Sequence, residues 1–281
     1  MNTKLVEGYG GVPASPHSSP HPSAGRAQPA QTVGRAALLL RLIASSHARN
    51  LRLVDIAAMA SLDKSTAQRL LHRLVLERLL ARDPVRGYRL GPLLYELGLA
   101  ALPETNLREL SQSALHELAH ATGDMVFLVM RSGFETVCMN RIAGNYPIQT
   151  MTRTEGDRHP LGVGAGGLAI LASLHDADVE LALNAVAPRL PTYQLTTDVL
   201  RDAVAATRAN GGLAVDEGSA ALDVTAIGRT LHDRTRSPVA AVFVASISHR
   251  MGKSRQVQIC RQLVACVDTI ERVMAGGGAT V

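Results

Sequence analysis

Residues 63–90, DKSTAQRLLHRLVLERLLARDPVRGYRL, constrain the fold more than any other stretch of this chain. Ala67, Leu70, Leu71 and Leu74 recur at three- and four-residue spacing, which makes one apolar stripe that a helix must bury against neighbours. The opposite face carries Ser65, Thr66, Gln68, Arg69, His72 and Arg73, with Lys64 in the first turn. Asp63 is placed to cap that helix, because its carboxylate can accept from free first-turn amides. The alternation in ARDPVRGYRL, with Pro84 and Gly87 at the bend, then predicts a two-stranded hairpin. Upstream, TVGRAALLLRLIASS places Val33, Ala36, Ala37, Leu40 and Ile43 at helical spacing, and VDIAAMA (54–60) predicts a second short helix. Three helices and a hairpin within sixty residues make a winged helix-turn-helix.

Charge gives this unit a partner. The net charge of +5 is uneven: residues 31–90 hold ten Arg and one Lys against four acids, or +7, whereas residues 91–281 sum to −3. A basic block joined to a mildly acidic remainder implies that only the block meets a polyanion. On the exposed helix face, Arg suits guanine, Gln suits adenine, and hydroxyls suit phosphates or base edges. We therefore expect Lys64, Ser65, Thr66, Gln68, Arg69, His72 and Arg73, with Arg86 of the hairpin, to contact double-stranded DNA.

Other classes fit less well. No apolar run reaches the ~18 residues of a spanning helix, and residues 1–30 lack a compact signal-peptide core, so we expect a cytoplasmic protein without membrane contact. Cys138, Cys260 and Cys266 form no C-x-x-C pair and are expected to be buried thiols. The first thirty residues hold five of the thirteen prolines among Gly, Ser and Ala, and are expected to be disordered.

Two motifs invite enzymatic readings. His116-Glu117-Leu118-Ala119-His120 is H-E-x-x-H, the spacing with which a zinc hydrolase grips its metal and activates water. A third ligand is missing, however, and the three side chains fall on the polar side of an amphipathic helix (NLRELSQSALHELAHATG, stopped by Gly123). Gly162, Gly164 and Gly167 in HPLGVGAGGLAILAS form G-x-G-x-x-G, but no clean strand precedes them and no βαβ unit surrounds them, so a nucleotide loop is not expected. Glycines at a helix start can instead admit a small anion to backbone amides or permit close packing. No catalytic residue, metal or cofactor is expected.

TVGRAALLL and LDKSTAQRLLHRLVLERLLARDPVRGYRLG resemble the opening helix, recognition helix and wing of the IclR family of bacterial transcriptional regulators, and the resemblance extends over residues 32 to about 273. It departs at Arg52, where the family often has a capping Ser or Thr, and at Asp223, where Gly is usual. The resemblance implies an α+β architecture: a winged helix-turn-helix (32–90), a linker helix (91–105, including LLYELGLA) and a GAF-like effector-binding domain (106–275), flanked by a disordered tail (1–31) and a flexible C-terminus (276–281). GDRHPLGVGAGGLAILAS resembles the segment that caps the family's ligand pocket. By position, Gly164, Ala165, Asp216, Thr225, Ser246 and Ser248 are implied to line that pocket, with hydroxyls and amides suited to a carboxylate. A homodimer or homotetramer on a pseudo-palindromic operator follows, because one recognition helix reads only a few base pairs. A zinc hydrolase using HELAH and a winged helix that docks protein rather than DNA stand as alternatives.

Overall fold

A computed structural model of the chain describes residues 28–45, 51–85, 87–100, 106–150 and 152–276. The predicted tail up to residue 27, the extreme C-terminus and Arg86 lie outside these residues. The N-terminal unit contains α1 (Gln28–Ser45), α2 (Leu53–Met59), α3 (Lys64–Leu76) and the antiparallel pair β1 (Leu80–Asp83) and β2 (Gly87–Leu90). Leu39, Ile43, Ile56, Leu71, Leu74, Leu80 and Tyr88 form its core. The first helix begins four residues before Thr32, so residues 28–31 belong to it and not to the tail expected from their composition.

Local chemistry fixes the helix starts. Asp63 accepts from the Thr66 amide at 2.8 Å and from the Ser65 hydroxyl at 2.6 Å. These hydrogen bonds hold its carboxyl well below the usual carboxylate range. At α2 the guanidinium of Arg52 has no acceptor to offer the helix; only the reverse half of a capping box forms, the Arg52 amide donating to Asp55 Oδ2 at 3.3 Å. The wing is tied back to the body where Leu51 and Tyr88 exchange backbone hydrogen bonds of 3.1 and 2.8 Å. A Cβ at Gly87 would stand 2.3 Å from the Leu51 carbonyl oxygen, so that position admits no side chain.

Helix α4 (Pro92–Ala100) follows the wing and buries none of its residues. Beyond it lie α5 (Leu107–Thr122), β3 (Met125–Ser132), β4 (Glu135–Ile142), β5 (Arg158–Pro160), α6 (Gly164–Ala172), α7 (Asp176–Val186), a 3-10 turn (Ala187–Tyr193), α8 (Thr197–Ala209), β6 (Leu213–Glu217), β7 (Val224–His232), β8 (Pro238–Ile247) and α9 (Lys253–Gly276). The strands form one six-stranded sheet in the order β5-β4-β3-β8-β7-β6, and every pairing is antiparallel. Helices cover both faces. Phe127, Val129, Ala226, Phe243 and Ala245 pack with α6, α7 and α8, while Val126, Leu128, Ile227, Val242 and Val244 pack with α5 and α9. Strand alternation sends neighbouring residues to opposite layers.

One expectation changes here. A strand does feed the glycine segment: β5, three residues of the charged stretch TRTEGDRHP, reaches Pro160 before the turn into α6. It carries no alternation signal because it is short and charged, and it is an edge strand, a setting where Pro is tolerated in a sheet. It pairs only antiparallel to β4, so no βαβ unit results.

Candidate DNA interface and effector site

Helix α3 turns Lys64, Ser65, Gln68, Arg69, His72 and Arg73 outward, with Thr66 half-buried, while Ala67, Leu71 and Leu74 are buried beneath. The expected residues of α3 thus share one exposed face, with Thr66 at its margin. Their hydrogen bonds sort them further. Ser65 is engaged by Asp63, Arg69 Nη2 lies 3.4 Å from Thr66 Oγ1, and Arg73 pairs with Glu77 at 2.6 Å one turn on. Both groups of this last pair are exposed, so it is cheaply exchanged for a phosphate. Gln68 and His72 flank Arg69 on the outer surface of the helix. Sequence reasoning missed Arg35: together with Gln31 and Thr32 it reaches a groove of about 580 Å³ shared with Thr66, Arg69 and Arg73. The signal was present as one of ten arginines, but the crossing of α1 over α3 was needed to place it.

The six residues implied to line the effector pocket do not converge. Gly164, Ala165 and Asp216 lie in the α6 layer, Asp216 sharing the face of its β7 partner Ala226. Thr225 and Ser246 are partners in register one position away, so alternation directs both to the α5–α9 layer. There Ser246 Oγ donates at 2.8 Å to Asp124, a buried carboxylate also held by Arg255 at 2.6 Å and Arg250 at 3.2 Å. Arg250 in turn stacks 3.6 Å over the Tyr146 ring. Thr225 Oγ1 donates to Ser248 Oγ at 2.9 Å, and Ser248 itself is exposed at the end of β8. Asp216 accepts from the amide and hydroxyl of Ser219, closing the turn that leaves β6. Asp223 in the same loop has φ 58°, the left-handed conformation that suits the glycine usual there.

The α6 layer holds polar groups that the sequence did not single out. Arg153 is 3% exposed; its Nη1 donates to Thr136 Oγ1 at 3.0 Å and Nη2 to the Val163 carbonyl at 3.1 Å. Burial pushes its pKa down, yet a guanidinium remains charged. His159 lies 5.6 Å from the Tyr193 ring, and its Nδ1 is buried without a partner. Burial, seconded by Arg153, pushes its pKa down to about 3, so the imidazole is neutral. The glycines of α6 mainly permit close packing. A Cβ at Gly166 would meet Phe243 and Val129 at 2.8 Å, and one at Gly228 would meet the Ala165 carbonyl oxygen at 2.6 Å. Only Gly164, at φ 72°, fronts a cation, its Cβ position lying 3.1 Å from Arg153 Nη2.

Most of this architecture matches a known one. Residues 32–84 match the model of the IclR helix-turn-helix domain, and residues 99–272 match the bacterial transcriptional regulator IclR C-terminal model. The chain belongs to the IclR family of bacterial transcriptional regulators. Among its relatives, the HTH-type transcriptional regulator XynR of Escherichia coli is 29% identical over 243 residues, covering 83% of this chain and 92% of XynR. TtgV of Pseudomonas putida is 30% identical over 188 residues, 66% of this chain and 71% of TtgV. An IclR regulator structure from Silicibacter superposes with a TM-score of 0.76 at 24% identity, over 86% of this chain and 96% of that one. An IclR homologue from Microbacterium hydrocarbonoxydans complexed with 4-hydroxybenzoate superposes with a TM-score of 0.67 at 21% identity, over 87% and 99%.

An IclR regulator binds DNA and is not an enzyme, which disposes of the hydrolase alternative. His116, Glu117 and His120 are exposed on α5, Glu117 accepts from Ser113, and no set of three metal-ligating side chains converges among the described residues. Nor is any described helix long and apolar enough to cross a membrane. Cys138 and Cys266 are buried, and burial pushes their thiols up to about 11 and about 12, which leaves them unreactive.

Proposed function

We propose that this regulator binds a pseudo-palindromic operator as a cytoplasmic homodimer or a pair of dimers, and that a small carboxylate-bearing metabolite controls that binding. The observation that carries the DNA reading is the face of α3, where Gln68, Arg69, His72 and Arg73 stand exposed on a helix whose other side is fully used by the core. A helix of this kind enters the major groove with its N-terminal half against base edges. Arg69 and Gln68 suit base reading. Lys64, Ser65, Thr66, Arg73 and, from the wing, Arg86 suit phosphates, as does Arg35.

Dimerisation has its own support. Helix α4 leaves Tyr95 72%, Leu97 50% and Leu99 53% exposed, apolar side chains that nothing among the described residues covers. A second copy would bury it and supply the second half-site. For the effector, the Microbacterium homologue binds an aromatic carboxylate, and the α6 layer here supplies a buried cation.

Fluorescence anisotropy on DNA from upstream of the gene, from roughly 50 to 200 mM salt with a non-specific duplex as control, tests the reading. Tight, selective binding that weakens steeply with salt is expected. A folded protein equally indifferent to both duplexes would favour the protein-docking alternative.

A further inference from the structure

We propose that Arg153 is the anchor of the effector site: it receives the carboxylate of a small monoanionic ligand, and His159 Nδ1 meets a second polar atom of that ligand. The proposal rests on the reading of this domain as a sensor and names the chemistry of its site.

A buried charge is retained in a fold when something compensates it. Arg153 is 3% exposed, yet among the described residues no carboxylate oxygen lies within 4 Å of it. Its partners are a hydroxyl and a carbonyl, neither of which carries charge. The acids in its vicinity are committed to other groups. Asp157 accepts from the Thr154 amide at 2.6 Å and hydroxyl at 2.9 Å, and Asp216 accepts from Ser219. Lysine could lose its proton under such burial, whereas arginine cannot. A guanidinium presents five N–H donors in a planar fork, and two suffice for the contacts to Thr136 and Val163. Donors therefore remain for an anion.

The surroundings fit an organic anion. The guanidinium lies 5.6 Å from the Phe243 ring centroid, and Phe243 stacks on Phe127 at 4.7 Å, giving the site an apolar wall. His159 supplies an unpartnered, neutral ring nitrogen, which donates or accepts according to tautomer without adding a second positive charge. One fixed cation beside one neutral imidazole selects a monoanion over a dianion.

A surface groove lies next to the site. A groove of about 680 Å³ runs between the end of the 3-10 turn, at Thr192–Leu195, and the loop from Glu217 to Asp223. Two of its lining residues also border the buried site: Tyr193 tilts against the His159 ring, and the Ala220 methyl lies 3.4 Å from the Cβ position of Gly164. Asp216, through Ser219, holds that loop in place. Asp216 thus acts on the entrance, and it is not itself a ligand group.

The test uses full-length protein in thermal melts and isothermal titration with acetate, butyrate and benzoate. Sodium chloride at equal ionic strength and the matching amides serve as controls, and operator anisotropy is read on the same samples. We expect at least one acid to raise the melting temperature where its amide does not, Arg153→Met to abolish that rise, and Arg153→Lys to weaken binding about tenfold, the loss of one charge-assisted hydrogen bond. The lysine variant keeps the test valid should the methionine variant not fold. A rise shared by the amides, retained in Arg153→Met, or undiminished in Arg153→Lys overturns Arg153 as anchor while leaving a sensing domain intact. Melts unmoved by all three acids overturn the carboxylate assignment, and sensing itself then fails only if none of the six compounds alters operator affinity.

Discussion

Arg69 and Arg35 approach one groove from different helices, and their surroundings predict different energetics. Arg69 projects from the outer face of α3 beside Gln68; if that face reads bases as proposed, Arg69→Ala should cost ~1–3 kcal/mol against a single base pair and relax selectivity there. Arg35 comes from α1, flanked by Thr32 and Gln31. Arg35→Ala should weaken all duplexes alike and reduce the slope of log affinity against log salt by about 1. Anisotropy on the operator, a single-base variant and a random duplex separates the two; a uniform loss in both variants would make Arg69 a phosphate contact. A second residue-scale prediction concerns pH. The folded pKa of His159 is pushed down to about 3, below the ~6.5 of an unfolded histidine. The unfolded chain therefore takes a proton that the native chain refuses, and stability falls as pH drops below about 6.5. At pH 5 this amounts to about 2 kcal/mol, and His159→Gln removes it. Urea melts of both proteins at pH 7.5 and 5.0 check the sign and size: equal losses on acidification would mean that native His159 takes up its proton as readily as the unfolded chain does.

At the scale of elements, the close seating of α6 on the sheet is built from missing side chains. Gly228 of β7 faces the Ala165 carbonyl and Gly166 faces Phe243 and Val129. Gly228→Ala should destabilise by about 1–3 kcal/mol, because backbone atoms on both sides must part. Gly98→Ala, with open space around it, should not destabilise the fold, and thermal melts of the pair distinguish packing from a general cost of losing glycine. The same contrast explains what could be read from sequence. The α3 stripe, the Asp63 cap, the Gly123 stop and the strands β3, β4 and β8 follow from periodicity and local chemistry, which act over a few residues. Arg153 could not be found that way. It sits in TRTEGDRHP, a charged and irregular stretch that reads as surface, and is buried only because β4 and α6 close over it from both sides in sequence. Ser246 shows the converse. Resemblance by position brought it to the pocket, whereas strand parity, counted from Phe243, sends it across the sheet to Asp124. Asp124→Ala should cost about 3 kcal/mol by leaving Arg250 and Arg255 half-buried without their shared acid. Ser246→Ala should leave effector affinity unchanged, and titration calorimetry on that variant decides the point.

At the scale of the whole molecule, the two units communicate only if ligand binding and DNA binding favour the same arrangement of two copies. Helix α4 is the element between them in sequence, and its exposed apolar residues make it costly to leave in water. Burying such side chains against a second copy would contribute roughly 25 cal/mol per Å², so α4 would add to the stability of the proposed dimer. Substituting Tyr95, Leu97 and Leu99 by Ser should therefore weaken self-association measured by sedimentation. The thermal transition of the effector domain should stay in place, because none of the three belongs to its cores. Operator affinity should fall with association, since each lost pairing also removes one recognition helix from the complex. If affinity falls while the dimer persists, α4 sets the spacing of the two α3 helices and the dimer is held elsewhere. If the dimer is lost while affinity stays, each α3 reads its half-site independently and the two-fold operator is not required.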